Sequence, residues 1–418
     1  MARPLEPLPV PAGDAVLDLL PLLRRALSGD GPALLPVLAA DPGAASRTAR
    51  ALAAGSPLID GEDDDADPTA FVVTTSGSTG TPKGVLLPAA ALMASARATR
   101  HFLTGDDPRP AHWLLALPAH HVAGLQVLLR SLVERTGPTV LDTSLPFTAD
   151  RFADAAGRMP AGARFVSLVP TQLQRILADD GSAAALAGFD AALIGGAPAS
   201  PALLDRATAA GVRAVTTYGM SETCGGCVYD GRPLDGVTVS TDEVGRISLA
   251  GPVVGRGYRG LPGHPAFDLD PAGRRRFRTD DVGDFVTDHI GDRWRVLGRA
   301  DDVLITGGVK VAPAGVEATL AHLPGVSDVV LTAVPDDEWG LLLVAVIATA
   351  GTPDPAALRA AARTAHGPAA APRTIVLVDE LPLRGPGKPD RVAIRDLASR
   401  TLAAQPGQTV IDTRSAVP

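Results

Sequence analysis

The sequence of 418 residues has few cysteines, few aromatic residues and no long apolar run. Its two cysteines, Cys224 and Cys227, are spaced C-x-x-C, but no second pair accompanies them, so small buried or loop thiols are a better interpretation than zinc ligands. The longest apolar run, LLLVAVIATA at 341–350, is too short to cross a bilayer. The lack of a second cysteine pair argues against a zinc protein, and the lack of a long apolar run argues against membrane insertion.

Positive charge is also scarce. The chain has 38 basic and 46 acidic residues, and this net charge of -8 argues against nucleic acid as a main partner. The basic run RRRFR at 274–278 is typical of a solvated loop. The N-terminal stretch MARPLEPLPVPAGD has no basic region followed by an apolar one, so it lacks the pattern of a signal peptide. We therefore expect a cytoplasmic protein, and its oligomeric state stays open, a homo-oligomer included.

Glycine and proline are abundant, with 44 and 38 residues, and mark many turns in a chain that suits a large domain plus a smaller one. Strand and helix patterns alternate from about residue 70 to 220, which predicts an α/β fold with parallel βαβ layers. Short strands with Gly and Asp turns at about 228–298 predict a small β-rich subdomain. Helices resume after 310 in a compact α+β module, and a disordered tail is expected at 401–418.

The stretch TTSGSTGTPKGVLL at 74–87 combines glycines, hydroxyl residues and one lysine. It follows a β-branched strand and precedes an Ala-rich helical pattern, so we expect a loop between a strand and a helix. Such a backbone can point several N–H groups at one anion, and Lys83 adds a charge that suits phosphate. The Walker spacing is absent because Pro82 precedes Lys83 and Gly84 follows it. A flexible linker does not belong between a core strand and a helix, so another kind of phosphate loop is predicted.

Five segments occur in a characteristic order along the chain. They are TTSGSTGTPKGV at 74–85, LPAHHVAG at 117–124, TYGMSETCGG at 217–226, GRADDVLITGGVKVAP at 298–313 and LPLRGPGKPDR at 381–391. Together they resemble the acyl-adenylate-forming superfamily of acyl- and aryl-CoA ligases, luciferases and peptide-synthetase adenylation domains. The resemblance covers roughly residues 70–395.

Within that superfamily, the short N-terminal part and the segments HHVAGLQVLLRSL and YGMSETCGGCVYDGRPLDGV most resemble the bacterial o-succinylbenzoate-CoA ligases of menaquinone synthesis. The resemblance implies a ligase that uses ATP, Mg²⁺ and coenzyme A. A carboxylate would attack the α-phosphate of ATP, pyrophosphate would leave, and a thiol would then attack the acyl-adenylate. Because both reactants of the first step are anions, cations and N–H donors are the expected catalysts.

The resemblance also implies which residues bind the nucleotide. The β- and γ-phosphates would lie on the loop residues Thr75, Ser76, Gly77, Ser78, Thr79, Gly80 and Lys83. Glu222 would bind Mg²⁺, a single carboxylate being enough beside phosphate oxygens, and Ser221 would contact the α-phosphate. Tyr218 would stack on adenine opposite the backbone of Gly196 and Ala197. Asp281 and Arg299 would hold the ribose, with Asp280 left open as the alternative to Asp281.

Other implied residues lie in the acid pocket and in the C-terminal part. His121 would shape the acid pocket together with Gly195 and Gly219, without a role in proton transfer. An N-terminal core at 1–298 would be joined by a hinge at 299–301, which includes Asp301, to a mobile C-terminal α+β domain at 302–400. That domain would carry the catalytic Lys388 for adenylation and, at Gly307 and Gly308, a surface for the CoA channel.

Each segment also has a structural interpretation that needs no chemistry. YGMSE taken alone could cap a surface turn, GRADD could be an ordinary Arg-Asp turn, and Lys388 could be a surface cation. GRGYRG at 255–260 satisfies G-x-G-x-x-G, but LPGHP follows where a dinucleotide site needs a helix, so no such site is expected. Three functional alternatives also stay open: another acyl-CoA ligase, an adenylation enzyme that loads a carrier protein, and an inactive nucleotide sensor.

Overall fold

The computed structural model describes residues 2–75, 83–288, 291–300, 304–336, 339–349, 351–384 and 388–414. Within these ranges, no helix has both the length and the apolar character needed to cross a membrane.

The N-terminal part forms a sheet in which β1, β2 and β3 are parallel and β4 is antiparallel to β3. Its elements are β1 (Leu5–Val10), α1 (Leu20–Leu27), β2 (Ala33–Leu38), α2 (Pro42–Ala51), β3 (Thr69–Thr75), β4 (Lys83–Pro88) and α3 (Ala89–Thr104). The predicted step from the glycine-rich stretch into a helix is wrong. The run Val85–Leu87 is buried as part of β4, so the stretch joins two strands of a hairpin, and α3 begins only after Pro88.

The alternating patterns in the middle of the chain form a sheet of seven strands in the order β11-β10-β9-β8-β7-β5-β6. The elements are β5 (Ala111–Leu115), α4 (Val122–Val133), β6 (Thr139–Val140), α5 (Ala149–Gly157), β7 (Ala163–Leu168), α6 (Pro170–Ile176), α7 (Asp180–Ala187), β8 (Ala191–Ile194), α8 (Pro201–Ala209), β9 (Ala214–Met220), β10 (Gly225–Tyr229) and β11 (Arg232–Pro233). Strands β5 to β9 pair in parallel, which confirms the predicted α/β layers.

This sheet separates two apolar cores. Leu115, Phe165 and Leu193 belong to one core, and their strand neighbours Leu114, Val166 and Ile194 belong to the other. Alternate residues of each parallel strand thus point to opposite faces, and both faces are covered. The carboxyl ends of the parallel strands share one edge, which is where open α/β sheets bind ligands.

Strands replace helices over residues 225–299, as predicted for the β-rich subdomain. The further strands are β12 (Thr238–Thr241), β13 (Arg246–Ala250), β14 (Gly257–Tyr258), β15 (Phe267–Leu269), β16 (Arg275–Asp288) and β17 (Gly291–Arg299). The loop predicted for RRRFR is wrong for 275–278, which open β16. Its arginines are neutralised by carboxylates, with Arg275 at 2.9 Å from Asp67 and Arg276 at 2.7 Å from Asp268.

The C-terminal part has its own sheet, β20-β21-β22-β25, with apolar cores on both faces. Its elements are β18 (Leu304–Thr306), β19 (Val309–Val311), α9 (Pro313–Ala321), β20 (Asp328–Asp336), β21 (Gly340–Ala348), α10 (Pro355–His366), β22 (Thr374–Val378), β23 (Leu383–Arg384), β24 (Lys388–Pro389), α11 (Arg391–Ala404) and β25 (Val410–Asp412).

The disordered tail expected from residue 401 is wrong as far as residue 414. Helix α11 continues to Ala404, and β25 pairs in parallel with β22 so that Ile411 is buried. Arg414 then donates hydrogen bonds to Asp412 and to the carbonyl oxygen of Gly351. The pairing partner of this short strand lies far back in the chain, so the local sequence does not show it.

Candidate active site

The β3–β4 hairpin presents the two ends of the predicted phosphate loop. Thr75 and Lys83 are directly opposite each other in the antiparallel register. The predicted phosphate residues between them, Ser76, Gly77, Ser78, Thr79 and Gly80, lie outside the described residues. The structure therefore places Thr75 and Lys83 at the base of the loop.

A tyrosine connects the loop lysine with the predicted metal ligand. The Nζ of Lys83 lies 4.9 Å from the ring centroid of Tyr258, and the hydroxyl of Tyr258 donates a hydrogen bond of 2.7 Å to Oε1 of Glu222. Lys83 and Glu222, which are far apart in sequence, thus meet at one aromatic side chain.

Glu222 lies in a short 3-10 helix, Ser221–Thr223, that follows the carboxyl end of β9. It is only 7% exposed. Burial raises the pKa of its carboxyl, while the hydroxyl of Tyr258 and the charge of Lys83 act in the opposite direction. Ser221, the predicted α-phosphate contact, begins the same turn.

The surroundings of Glu222 suit a carboxylate that holds Mg²⁺. Among the residues that the structure describes, no group of three or more His, Cys, Asp or Glu side chains could hold a metal ion. A cation at Glu222 would therefore take most of its ligands from phosphate oxygens and water, which is the coordination that Mg²⁺ prefers.

The predicted ribose and adenine residues converge beside Glu222. The hydroxyl of Tyr218 donates a hydrogen bond of 2.7 Å to Oδ2 of Asp281, and the hydroxyl of Thr279 accepts one of 3.0 Å from the Asp281 amide. Burial, followed by the charge of Asp281, raises the pKa of the Tyr218 phenol, so it remains a donor. Asp281 and Arg299 are register partners on β16 and β17.

The neighbouring Asp280 has different surroundings. Its side chain is 59% exposed and lies 3.4 Å from Arg299 and 3.8 Å from Arg246. Asp281, in contrast, bonds Tyr218, the residue predicted to stack on adenine. This arrangement favours Asp281 as the ribose ligand, and that role stays a prediction.

The predicted acid-pocket residues lie at the carboxyl edge of the parallel strands. Gly195 directly follows β8, and Gly219 lies near the end of β9. A Cβ on Gly195 would lie 2.3 Å from the Oγ1 of Thr217, so a larger residue does not fit there. Gly196 follows with φ of +80°, a conformation that suits glycine, and Ala197 comes next.

His120 and His121 come from the turn between β5 and α4, on the same edge, and their ring centroids are 4.1 Å apart. His121 is the N-cap residue of α4. Burial, followed by the proximity of His121, lowers the pKa of His120 to about 4. The His120 ring is therefore neutral at physiological pH, which suits a residue beside the predicted acid pocket.

The C-terminal site predictions are described only in part. Asp301 lies outside the described residues, and so does the side chain of Lys388, whose backbone pairs with Arg384 in the β23–β24 hairpin. Gly307 and Gly308 form the two-residue turn between β18 and β19, with φ of +53° and +77°. Two positive φ values in a two-residue hairpin explain the Gly-Gly sequence.

Sequence reasoning missed Tyr258. It lies in GRGYRG, where Gly257–Tyr258 forms β14 and pairs with β4 at the edge of the first sheet. An aromatic residue among glycines was the signal that the sequence offered. Cys224 and Cys227 are both free and buried, as expected for structural thiols, and burial raises the pKa of each.

The fold brings Lys83, at the base of the predicted phosphate loop, close to the buried Glu222 that follows β9. This arrangement is the one expected of a nucleotide-binding α/β enzyme. The profile of the AMP-binding enzyme family matches residues 25–252, and that of the AMP-binding enzyme C-terminal domain matches residues 315–388. The chain belongs to the AMP-binding enzyme family, as the resemblance predicts.

Two curated relatives share a name. The chain is 45% identical over 388 residues to the "Probable 2-succinylbenzoate--CoA ligase" of Mycobacterium tuberculosis, an alignment that covers 92% of this chain and 96% of the relative. It is 33% identical over 361 residues to the 2-succinylbenzoate--CoA ligase of Geobacillus kaustophilus, with 81% of this chain and 71% of the relative covered.

Solved structures share the fold. The o-succinylbenzoate CoA synthetase of Bacillus subtilis, in complex with its acyl-adenylate intermediate, matches with a TM-score of 0.72 and 21% identity, over 94% of this chain and 88% of that one. ATP-bound MatB from Rhodopseudomonas palustris matches with a TM-score of 0.66 and 25% identity, over 93% of this chain and 78% of that one.

Proposed function

We propose that this protein is an ATP- and Mg²⁺-dependent ligase that converts 2-succinylbenzoate to 2-succinylbenzoyl-CoA through an acyl-adenylate, a step of menaquinone biosynthesis. The observation that carries the proposal is the 45% identity to the M. tuberculosis relative, which extends over 96% of that protein. Because ATP and CoA are both cytoplasmic metabolites, we infer that the reaction takes place in the cytoplasm.

The first half-reaction brings two anions together, so its barrier is mainly electrostatic. We assign the β- and γ-phosphates to the loop from Thr75 to Lys83, whose lysine charge and N–H groups would offset the growing charge on pyrophosphate. Ser221 would donate to the α-phosphate. Lys388 would bridge the attacking carboxylate and the nucleotide. When bound, Mg²⁺ would neutralise phosphate charge, and Glu222 would hold it.

Nucleotide orientation is assigned to the cluster around Asp281. Tyr218 is tied by its hydroxyl to Asp281 at 2.7 Å, so the adenine-stacking ring and the ribose-binding carboxylate would act as one rigid unit. Gly196 and Ala197 would form the opposite wall. His121, Gly195 and Gly219 would line the pocket for the acid at the carboxyl edge of the sheet.

We assign the binding of CoA to a cleft in the C-terminal part. The cleft has a volume of about 740 Å³, and Trp339, Arg363 and Arg373 are among its lining residues. The guanidinium of Arg373 lies 3.4 Å from the ring centroid of Trp339. Guanidinium groups in the cleft suit the phosphates of CoA.

The direct test is a panel of acids. We expect ATP-dependent pyrophosphate release with 2-succinylbenzoate to exceed that with benzoate, acetate or a long-chain fatty acid by at least about tenfold in kcat/KM. Thioester formation should require CoA. Comparable activity on a fatty acid would overturn the choice of acid.

A substitution in the cleft distinguishes CoA from a carrier protein as the acyl acceptor. Arg373→Ala should raise the CoA concentration needed for half-maximal thioester formation by about tenfold, because it removes one charge-assisted contact worth about 1.5 kcal/mol, and it should leave pyrophosphate release unchanged. Activity with a phosphopantetheine carrier protein but not with CoA would favour the stand-alone adenylation enzyme.

A further inference from the structure

The proposed Mg²⁺ ligand has a neighbour to which the motifs assign no role. Tyr258 is 5% exposed, and its hydroxyl donates to Oε1 of Glu222 at 2.7 Å. Its ring faces the Nζ of Lys83 at 4.9 Å. One side chain therefore touches both a proposed metal ligand and a proposed phosphate ligand.

The Tyr258 ring is held by packing. It makes edge-to-face contacts with His264, at a centroid distance of 4.9 Å, and with Phe267, at 5.0 Å. Such contacts fix a ring at a preferred geometry. The phenol therefore cannot swing away from Glu222 without disturbing both neighbours.

The backbone around Tyr258 is tied to the same elements that carry the site. The amide of Gly255 donates to the carbonyl oxygen of Glu222 at 2.8 Å. The amides of Arg256 and Arg259 donate to the carbonyl oxygens of Leu86 and Gly84 on β4, at 2.8 and 2.7 Å. The strand that follows the phosphate loop and the turn that carries Glu222 thus share one connecting segment.

A buried carboxylate anchors the far end of this segment. Glu62 is 1% exposed, forms an ion pair with Arg259 and accepts a hydrogen bond of 2.5 Å from the amide of Gly260. Removing one partner of a buried pair leaves an uncompensated charge, so such an anchor strongly favours one arrangement. Glu62 thus contacts Arg259 and Gly260, the two residues that directly follow Tyr258.

We propose that Tyr258 is a positioning residue for Mg²⁺: its hydroxyl occupies Oε1 of Glu222, so the carboxylate presents its other oxygen to the cation in a fixed orientation. This inference rests on the proposed role of Glu222 as the metal ligand. Hydrogen-bond partners of metal ligands commonly change metal affinity by about 10- to 100-fold when they are removed.

The test is nucleotide binding, measured without any acid. Binding of a non-hydrolysable ATP analogue is followed by calorimetry over a series of Mg²⁺ concentrations, for the wild type and for Tyr258→Phe, which keeps the ring. We expect the Mg²⁺ concentration for half-maximal enhancement to rise at least about tenfold, while analogue binding in the absence of Mg²⁺ changes less than about twofold.

Tyr229→Phe is the matched control. Tyr229, on β10, is also buried, and its hydroxyl bonds the hydroxyl of Thr99 on α3 at 3.0 Å, so its removal should not change the Mg²⁺ requirement. If Tyr258→Phe melts far below the wild type, Glu62→Gln serves as a second variant. It weakens the anchor at Arg259 and Gly260, so it should also raise the Mg²⁺ requirement.

Glu222→Gln distinguishes an error in the Mg²⁺ assignment from an error in the proposed role of Tyr258. If this variant leaves the Mg²⁺ requirement unchanged, the metal assignment itself is wrong. If it raises the requirement but Tyr258→Phe stays within about twofold of the wild type, Tyr258 only fills space and the inference is overturned. In the Glu222→Gln background, Tyr258→Phe should have no further effect, because the carboxylate that it positions is gone.

Discussion

Gly195 offers a quantitative test of the site geometry. It is the first residue after β8, and a Cβ added there would lie 2.3 Å from the Oγ1 of Thr217 on β9. This is about 1 Å shorter than an ordinary van der Waals contact. The next nearest atoms, the carbonyl oxygen and the Cβ of Thr217, would lie at 3.4 and 3.6 Å, which the site tolerates. The clash of Gly195→Ala is therefore with a single hydroxyl.

The cost of Gly195→Ala follows from this geometry. The Thr217 hydroxyl donates to the carbonyl oxygen of Ile194 at 3.2 Å and must give up this bond to make room, at about 1 kcal/mol. Overpacking adds about 1–3 kcal/mol. We expect the variant to lose about 2–4 kcal/mol of stability. Thr217→Ala alone should lose only about 1 kcal/mol, for the hydroxyl bond.

The double variant Gly195→Ala/Thr217→Ala should recover most of the loss, because the clashing atom is removed. Its stability should be within about 1 kcal/mol of Thr217→Ala, so the coupling between the two changes should be about the whole 2–4 kcal/mol loss of Gly195→Ala, to within about 1 kcal/mol. Differential scanning calorimetry measures this, since 1 kcal/mol shifts the melting temperature of a domain of this size by about 2–4 °C. A double variant that melts no higher than Gly195→Ala would refute the reasoning.

Gly157→Ala controls for the general effect of replacing glycine. Gly157 is the last residue of α5, and a Cβ there meets nothing within 4 Å. Its replacement should be neutral or stabilise the helix by up to about 1 kcal/mol. A melting temperature that falls as far as that of Gly195→Ala would show that the loss is unrelated to Thr217.

The parts of the site that the sequence predicts are those carried by contiguous segments. TYGMSETCGG contains the end of β9, the proposed adenine-stacking Tyr218 and the buried Glu222 within ten residues. Strand and helix patterns likewise predicted the parallel βαβ layers of the middle sheet, because each βαβ unit is local in sequence.

The parts that the sequence does not predict depend on pairing between distant segments. VLL at 85–87 belongs to the stretch predicted as a loop before the Ala-rich helix, yet it becomes part of β4 because β3 and β14 pair with its two edges. Tyr258 takes its position from that pairing and meets Glu222, 36 residues earlier. Hydrophobic periodicity and sequence motifs report local geometry. Neither predicts the pairing register between β14 and β4, which are far apart in the chain.

Three further substitutions test the proposed roles of the two lysines and of the hinge. Lys83→Ala should raise the ATP concentration for half-maximal pyrophosphate release by at least about tenfold, because it removes one charge from the proposed phosphate site. The melting temperature should stay within about 2 °C of the wild type, since the side chain is only half-buried. Normal turnover at low ATP would contradict the assignment of the phosphate loop. Lys388→Ala should slow adenylate formation by about 10² or more, the scale of a lost charge-stabilising donor, yet leave a supplied acyl-adenylate able to react with CoA. Asp301→Pro should do the reverse, since proline fixes φ and would hinder the proposed hinge between the two half-reactions. Because Lys388 and the Gly307–Gly308 turn both follow residue 301 in the chain, alternation requires that each variant impair a different step; equal slowing of one step by both would exclude it.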